Sequence, residues 1–148
     1  MLPATSDDVC NSAARRVLVV DDNRATRMML SKLIPLLAPC ELQACEDGPT
    51  ALATARWFVP TVVLLDIGLP GMDGLAVARR LREDERLRET LFVAVTGYDT
   101  LDDQRRIQDA GFDVFLAKPV DAGALESLLC SGPRGDATSP ARRIGSSD

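Results

Sequence analysis

The chain has 148 residues, nearly half of them hydrophobic, with 17 basic against 22 acidic side chains and a net charge of -5. That length fits one domain with a substantial core, and an acidic balance with no basic stripe argues against nucleic acid as the main partner. There is no histidine, which excludes a Ser-His or Cys-His nucleophile pair, a histidine-ligated metal and any phosphohistidine carried by this chain.

Residues 1–14 are polar and mixed and read as a flexible leader. Arg16 to Val20 is a short apolar, β-branched run, predicted as a buried strand, and it ends on two acids, Asp21 and Asp22. After Asn23, Met28, Met29, Leu33, Ile34 and Leu37 recur near a 3.6 period and predict a helix, which Pro35 should kink or end in its last turn. Glu41 to Cys45 alternates loosely and reads as an edge or half-buried strand. Asp47-Gly48-Pro49 opens a second helix, with the proline in the first turn and an apolar face of Ala51, Leu52, Ala55 and Phe58.

Thr61 to Leu65 is a continuous apolar run that suits a strand buried on both faces. It ends on Asp66, and the turn residues Gly68-Leu69-Pro70-Gly71 follow. Leu75, Val77, Ala78 and Leu81 mark the next helix. The stretch from Arg79 to Glu89 mixes both charges; a solvated helix end with local ion pairs outweighs a docking patch as its reading. Leu91 to Val95 is a further strand, closed by Thr96-Gly97. Thr100 begins a capping box, from which a helix runs to about Ala110, and Gly111 stops it. Val114 to Ala117 is the last strand, closed by Lys118-Pro119. Asp121 caps a final helix through Ala124, Leu125, Leu128 and Leu129. Residues 131–148, rich in Ser, Gly, Pro and Arg, read as a disordered tail.

Five strands alternating with five helices predict an α/β fold, a doubly wound (βα)5 domain over residues 15–130 with a five-stranded parallel sheet. In such a sheet the carboxyl ends of all strands lie along one edge, where ligands bind. Those ends carry Asp21 and Asp22, Asp66, Thr96 and Lys118. Singly, each reads equally as a turn cap or surface ion pair. Together they gather three carboxylates, which repel unless a cation sits among them. Oxygen donors without histidine or paired thiols suit a hard ion, Mg2+. A cation, a lysine and a hydroxyl around a carboxylate make a site for a phosphoryl group.

The motifs VVDD, LLDIGLPGMDG, VTG and FLAKP together resemble those of response-regulator receiver domains of two-component and phosphorelay signalling, the chemotaxis regulators among them, over roughly Arg16 to Leu129. The resemblance implies a flavodoxin-like receiver fold. It also implies that Asp66 is the phosphoacceptor and that Asp21, Asp22, Asp66 and the backbone carbonyl of Gly68 hold Mg2+. Thr96 and Phe115 take the switch positions, Lys118 contacts the phosphoryl group, and a cis peptide bond precedes Pro119. A partner histidine kinase or histidine phosphotransfer protein would donate the phosphoryl group. A downstream protein would read the face made by the helix after Thr100, the strand Val114 to Ala117 and the helix from Asp121.

Two departures from the family, Gly68 where some members have a polar side chain and Tyr98 two residues after Thr96, bear on the lifetime of the aspartyl phosphate. Two alternatives stand beside this reading. A haloacid-dehalogenase-like phosphatase would typically carry a second Asp where this chain has Gly68, and a degenerate receiver serving only as a binding module would not need the complete Asp, Thr and Lys set.

The four cysteines, Cys10, Cys40, Cys45 and Cys130, show no CxxC or zinc-type spacing and read as free thiols of a reducing compartment. No apolar run approaches the roughly 18 residues of a membrane span, and acids stand where a signal peptide carries positive charge. The expectation is a cytoplasmic protein without an output domain on this chain, a monomer or weak homodimer that binds neither membrane nor nucleic acid.

Overall fold

The structure, a computed structural model, describes residues 15–68, 74–97, 101–118, 120–130 and 142–144. The predicted leader, the loop from Leu69 to Asp73, Tyr98, the capping residue Thr100, the peptide bond at Pro119 and most of the predicted tail lie outside these residues. Strand β1 (Arg15–Val20) is followed by α1 (Arg24–Leu37), β2 (Cys40–Cys45), α2 (Gly48–Phe58), β3 (Val62–Asp66) and α3 (Gly74–Arg82). A 3-10 turn (Glu85–Leu87), β4 (Leu91–Thr96), α4 (Leu101–Asp109), β5 (Val114–Ala117), α5 (Ala122–Leu129) and β6 (Arg142–Ile144) complete the order.

All strand pairs are parallel, in the order β2-β1-β3-β4-β5-β6. The five expected strands and five helices are all present. Because β2 and β3 lie on opposite sides of β1, the chain reverses its direction of travel across the sheet at β1. Side chains alternate along each strand and build two cores. Val17, Val19, Val62, Leu64, Val93 and Val95 pack against α1 and α5 through Leu30, Ile34, Leu125 and Leu129. Leu18, Val20, Val63, Leu65, Phe92 and Ala94 pack on the other side, where α2, α3 and α4 contribute Ala51, Ala55, Phe58, Val77, Leu81 and Ile107.

The caps follow the sequence. Asn23 opens α1 by accepting from the Thr26 amide at 3.0 Å, Asp47 opens α2 from Thr50 at 2.9 Å, and Asp121 opens α5 from Ala124 at 2.8 Å. Gly111, at φ 104°, closes α4 in the left-handed region that glycine enters without a side-chain clash. Pro35 lies inside the last turn of α1, and the helix ends two residues later.

Four departures have physical causes. In α1 the inward stripe is Leu30 and Ile34, with Leu33 and Leu37 partly buried, whereas Met28 and Met29 face solvent at 47% and 44% exposure; the periodicity holds, but its phase is one residue off at the start. The charged stretch after α3 does form a local pair, Asp84 with Arg86 at 2.7 Å, but Arg82 turns inward to Asp113. A sixth strand, Arg142–Ile144, pairs with β5 in a segment expected to hold none; three residues are too few to show a period in sequence. Cys40 and Cys45 are free, but Cys130 is disulfide-bonded, against the reading of all four cysteines as free thiols. Short-range spacing excludes zinc and CxxC motifs but says nothing about a disulfide between cysteines distant in sequence.

Candidate functional site: an acidic cleft at the strand ends

The reversal at β1 opens a crevice at the carboxyl ends of β1 and β3. Backbone pairing continues past the strand ends and fixes what projects there. The Asp21 amide donates to the Cys45 carbonyl at 3.1 Å, Ile67 to Val95 at 3.3 Å, and Lys118 to Thr96 at 2.9 Å. Asp21, Asp66, Thr96 and Lys118 are thereby brought to one edge, as the sequence predicts.

Asp21 and Asp66 are buried, at 2% and 7% exposure, and Asp22 is exposed. One carboxylate oxygen from each of the three lies within 4.8 Å of the others, a metal-sized spacing; among the described residues this is the one such cluster. Each carboxylate is held by the loop that follows it. Asp21 Oδ1 accepts from the Asn23 amide at 2.8 Å, and Asp66 Oδ1 from the Gly68 amide at 2.9 Å. Lys118 Nζ lies 3.3 Å from Asp66 Oδ2 and 3.6 Å from Asp21 Oδ2, bridging the two buried acids. Thr96 is buried at the end of the neighbouring strand, at 1% exposure.

The charges interact strongly. Burial pushes the Asp21 carboxyl above the usual aspartate range; the Asn23 amide and Lys118 oppose this, and the neighbouring Asp66 and Asp22 add to it. Burial works against the Lys118 ammonium, yet Asp66 and Asp21 outweigh it and raise its pKa. Three carboxylates against one lysine leave excess negative charge on a buried cleft. The donor set is oxygen only and one member, Asp22, is exposed to solvent, and this fits Mg2+, which keeps some of its water, better than a soft or nitrogen-seeking metal.

Two supports of the site carry no sequence motif. Asn23 both caps α1 and donates its backbone amide to Asp21, and Arg27 Nη1 donates to the Asp21 carbonyl at 2.9 Å. An Asn directly after an acid pair, opening a helix, was the available signal for the first; the second depends on a helical turn of reach. Phe115, which the resemblance places at the switch position, stands inside at 2% exposure, in the same core cluster as Ile107 of α4. In a short strand buried on both faces, an aromatic ring has more to gain from the core than from water.

Parallel order, topological switch point and acid-lysine cleft define a doubly wound α/β domain with an acidic site at its switch point. The sequence model of the response regulator receiver domain family matches residues 17–129, and the chain belongs to that family. Response regulator PleD of Caulobacter vibrioides is 40% identical over 107 residues, 72% of this chain and 23% of PleD, so the chain spans under a quarter of that relative. The polar-differentiation response regulator DivK of Brucella ovis is 33% identical over 106 residues, covering 72% of this chain and 85% of DivK. Among solved structures, the receiver domain of the sensor histidine kinase PA1611 from Pseudomonas aeruginosa aligns with a TM-score of 0.72 at 26% identity, over 79% of this chain and 95% of that one. That structure has a magnesium ion coordinated in its active-site cleft. The chain is therefore a receiver domain of two-component signalling, a regulatory phosphoacceptor class, and the phosphatase reading is not favoured.

Proposed function

We propose that Asp66 is the phosphoacceptor, taking a phosphoryl group from a phosphohistidine on a partner histidine kinase or phosphotransfer protein in the cytoplasm. The supporting observation is the placement of a buried carboxylate between Lys118, at 3.3 Å, and the Asp21-Asp22 pair. An Asp66 carboxylate oxygen attacks the donor's phosphorus, the P–N bond breaks with its electron pair returning to the donor imidazole, and an acyl phosphate forms. Lys118 then turns from the carboxylate to the phosphoryl oxygens, and the Thr96 hydroxyl donates to another of them. Asp21, Asp22, Asp66 and the Gly68 carbonyl would hold Mg2+. When bound, that ion supplies neutralisation of the phosphoryl charge among the carboxylates.

The signal leaves by the face of α4, β5 and α5. Thr96 moves toward the phosphoryl group, and Phe115, already buried on the neighbouring strand, relays the change to that face. The partner's preference for the phosphorylated arrangement sets the size of the response. Asp66→Asn decides the central point. Beryllofluoride with Mg2+, or acetyl phosphate, should load the wild type and leave Asp66→Asn unmodified by mass spectrometry. A phosphoryl group found on another residue, or none on the wild type, refutes the assignment.

A further inference from the structure

Strand β6 lies outside β5, with Arg142 opposite Val114, Arg143 opposite Phe115 and Ile144 opposite Leu116. Without it, β5 would end the sheet, and its outward N–H and C=O groups would be open to any extended chain. Three of the four β5 residues are registered against the C-terminal segment, and the middle one is Phe115, at the switch position. The strand that faces outward at the proposed output surface is thus already paired with another part of the same polypeptide.

We propose that the outer edge of β5 is a strand-accepting site whose occupant is the chain's own Arg142–Ile144, held there displaceably, so that the same segment supplied in trans pairs only when the resident strand is lost. Strand addition draws on backbone hydrogen bonds, so the edge can accept the segment whether or not it is covalently attached. The resident strand suits a displaceable role. It has only three residues, so few ladder bonds hold it, while its covalent tether through residues 131–141 keeps its local concentration high. Such an occupant lowers a competitor's apparent affinity by the fraction of time the edge is covered.

Full-length Arg143→Pro and Ile144→Pro test this. Proline removes an N–H, and successive strand residues point their amides to opposite sides, so one of the two variants must lose a bond to β5. Native-state hydrogen exchange at Val114 to Ala117 is the readout, with β1 and β3 amides as internal controls. At least one variant should exchange about tenfold faster at the β5 edge, with the controls unchanged. A synthetic peptide of residues 139–148, added at millimolar concentration, should restore that protection in the variant and add nothing to the wild type. Wild-type protection in both variants, or a peptide that restores none, overturns the proposal. Beryllofluoride loading measured on the same samples separates the two readings: loss of loading in the wild type refutes the phosphoacceptor assignment and leaves the exchange result standing.

Discussion

A methyl group added at Gly74 would stand 2.5 Å from Ile67 Cα and 2.6 Å from the Asp66 carbonyl oxygen. Both obstacles are backbone, so no side chain can move aside, and the collision falls on the residue proposed to be phosphorylated. Gly74→Ala should destabilise the domain by about 1–3 kcal/mol, the usual range for overpacking, and should lower beryllofluoride loading at Asp66 under conditions where the variant is folded. Chemical denaturation and mass spectrometry read the two effects. Cys45 offers a different residue-scale check. Its thiol donates to Thr54 Oγ1 at 3.4 Å, and burial pushes its pKa above the ordinary value of 9.0, with the Thr54 bond opposing the rise. Since the thiolate is the reactive form, folded Cys45 should resist iodoacetamide at pH 8 and label only on unfolding. The native state holds this proton when the unfolded chain has lost it, so stability should decline as pH rises through 9.0 toward the raised native value. Cys45→Ala should flatten that decline in melting curves. Both residues show where sequence stops. Gly74 is visible as a turn glycine, but its intolerance of any side chain comes from the return of α3 over the end of β3.

At the scale of elements, α3 is fastened to the far end of the sheet by one side chain. Arg82 donates through Nη2 to Asp113 at 2.7 Å, through Nε to the Gly111 carbonyl at 3.0 Å, and through Nη1 to the carbonyls of Leu87 and Thr90 at 3.2 and 3.1 Å. Its guanidinium also stands 3.7 Å from the Phe92 ring centroid, and Asp113 accepts the Phe92 amide at 2.9 Å. The group ties α3, the 3-10 turn, β4 and the entry to β5 together, at the end of the sheet opposite the acidic cleft. Removing one partner leaves the other buried and unpaired. Arg82→Ala should therefore cost about 3–5 kcal/mol in urea unfolding, and Arg82→Lys should recover only part of it, because an ammonium cannot reproduce the planar fork. Loading at Asp66 should persist in folded Arg82→Lys. Both members of this pair are in the sequence, yet Arg82 reads there as one charge among many after α3. Its partner is 31 positions away, and nothing in local periodicity joins them. The elements themselves were legible because buried parallel strands are unbroken apolar runs and because Asn23, Asp47 and Asp121 announce the helices they cap.

For the whole molecule, the legible features were those that chain direction alone places together. Once five parallel strands are granted, Asp21, Asp66, Thr96 and Lys118 must share an edge, and the structure gathers them. What depended on side-chain packing, such as the inward Phe115, or on a short edge pairing, such as β6, left no comparable pattern. The same gathering has a consequence for global stability. The fold brings Asp21, Asp22 and Asp66 to within 4.8 Å at their ligand oxygens, an arrangement the unfolded chain does not make, so Mg2+ held as proposed above should bind the native state in preference to the unfolded one. Mass action then adds RT ln(1 + [Mg2+]/Kd), about 1.4 kcal/mol at a concentration ten times Kd, or about 4–6 °C in Tm for a domain of this size. Asp22 is the exposed member, so its removal should cost little in packing, within about 0.5 kcal/mol, while taking away one ligand and one charge. In EDTA, Asp22→Ala should melt close to the wild type; in Mg2+, only the wild type should gain. A full Mg2+-dependent rise in Tm in Asp22→Ala would place the ion elsewhere, and the absence of any rise in the wild type would remove it from the cleft.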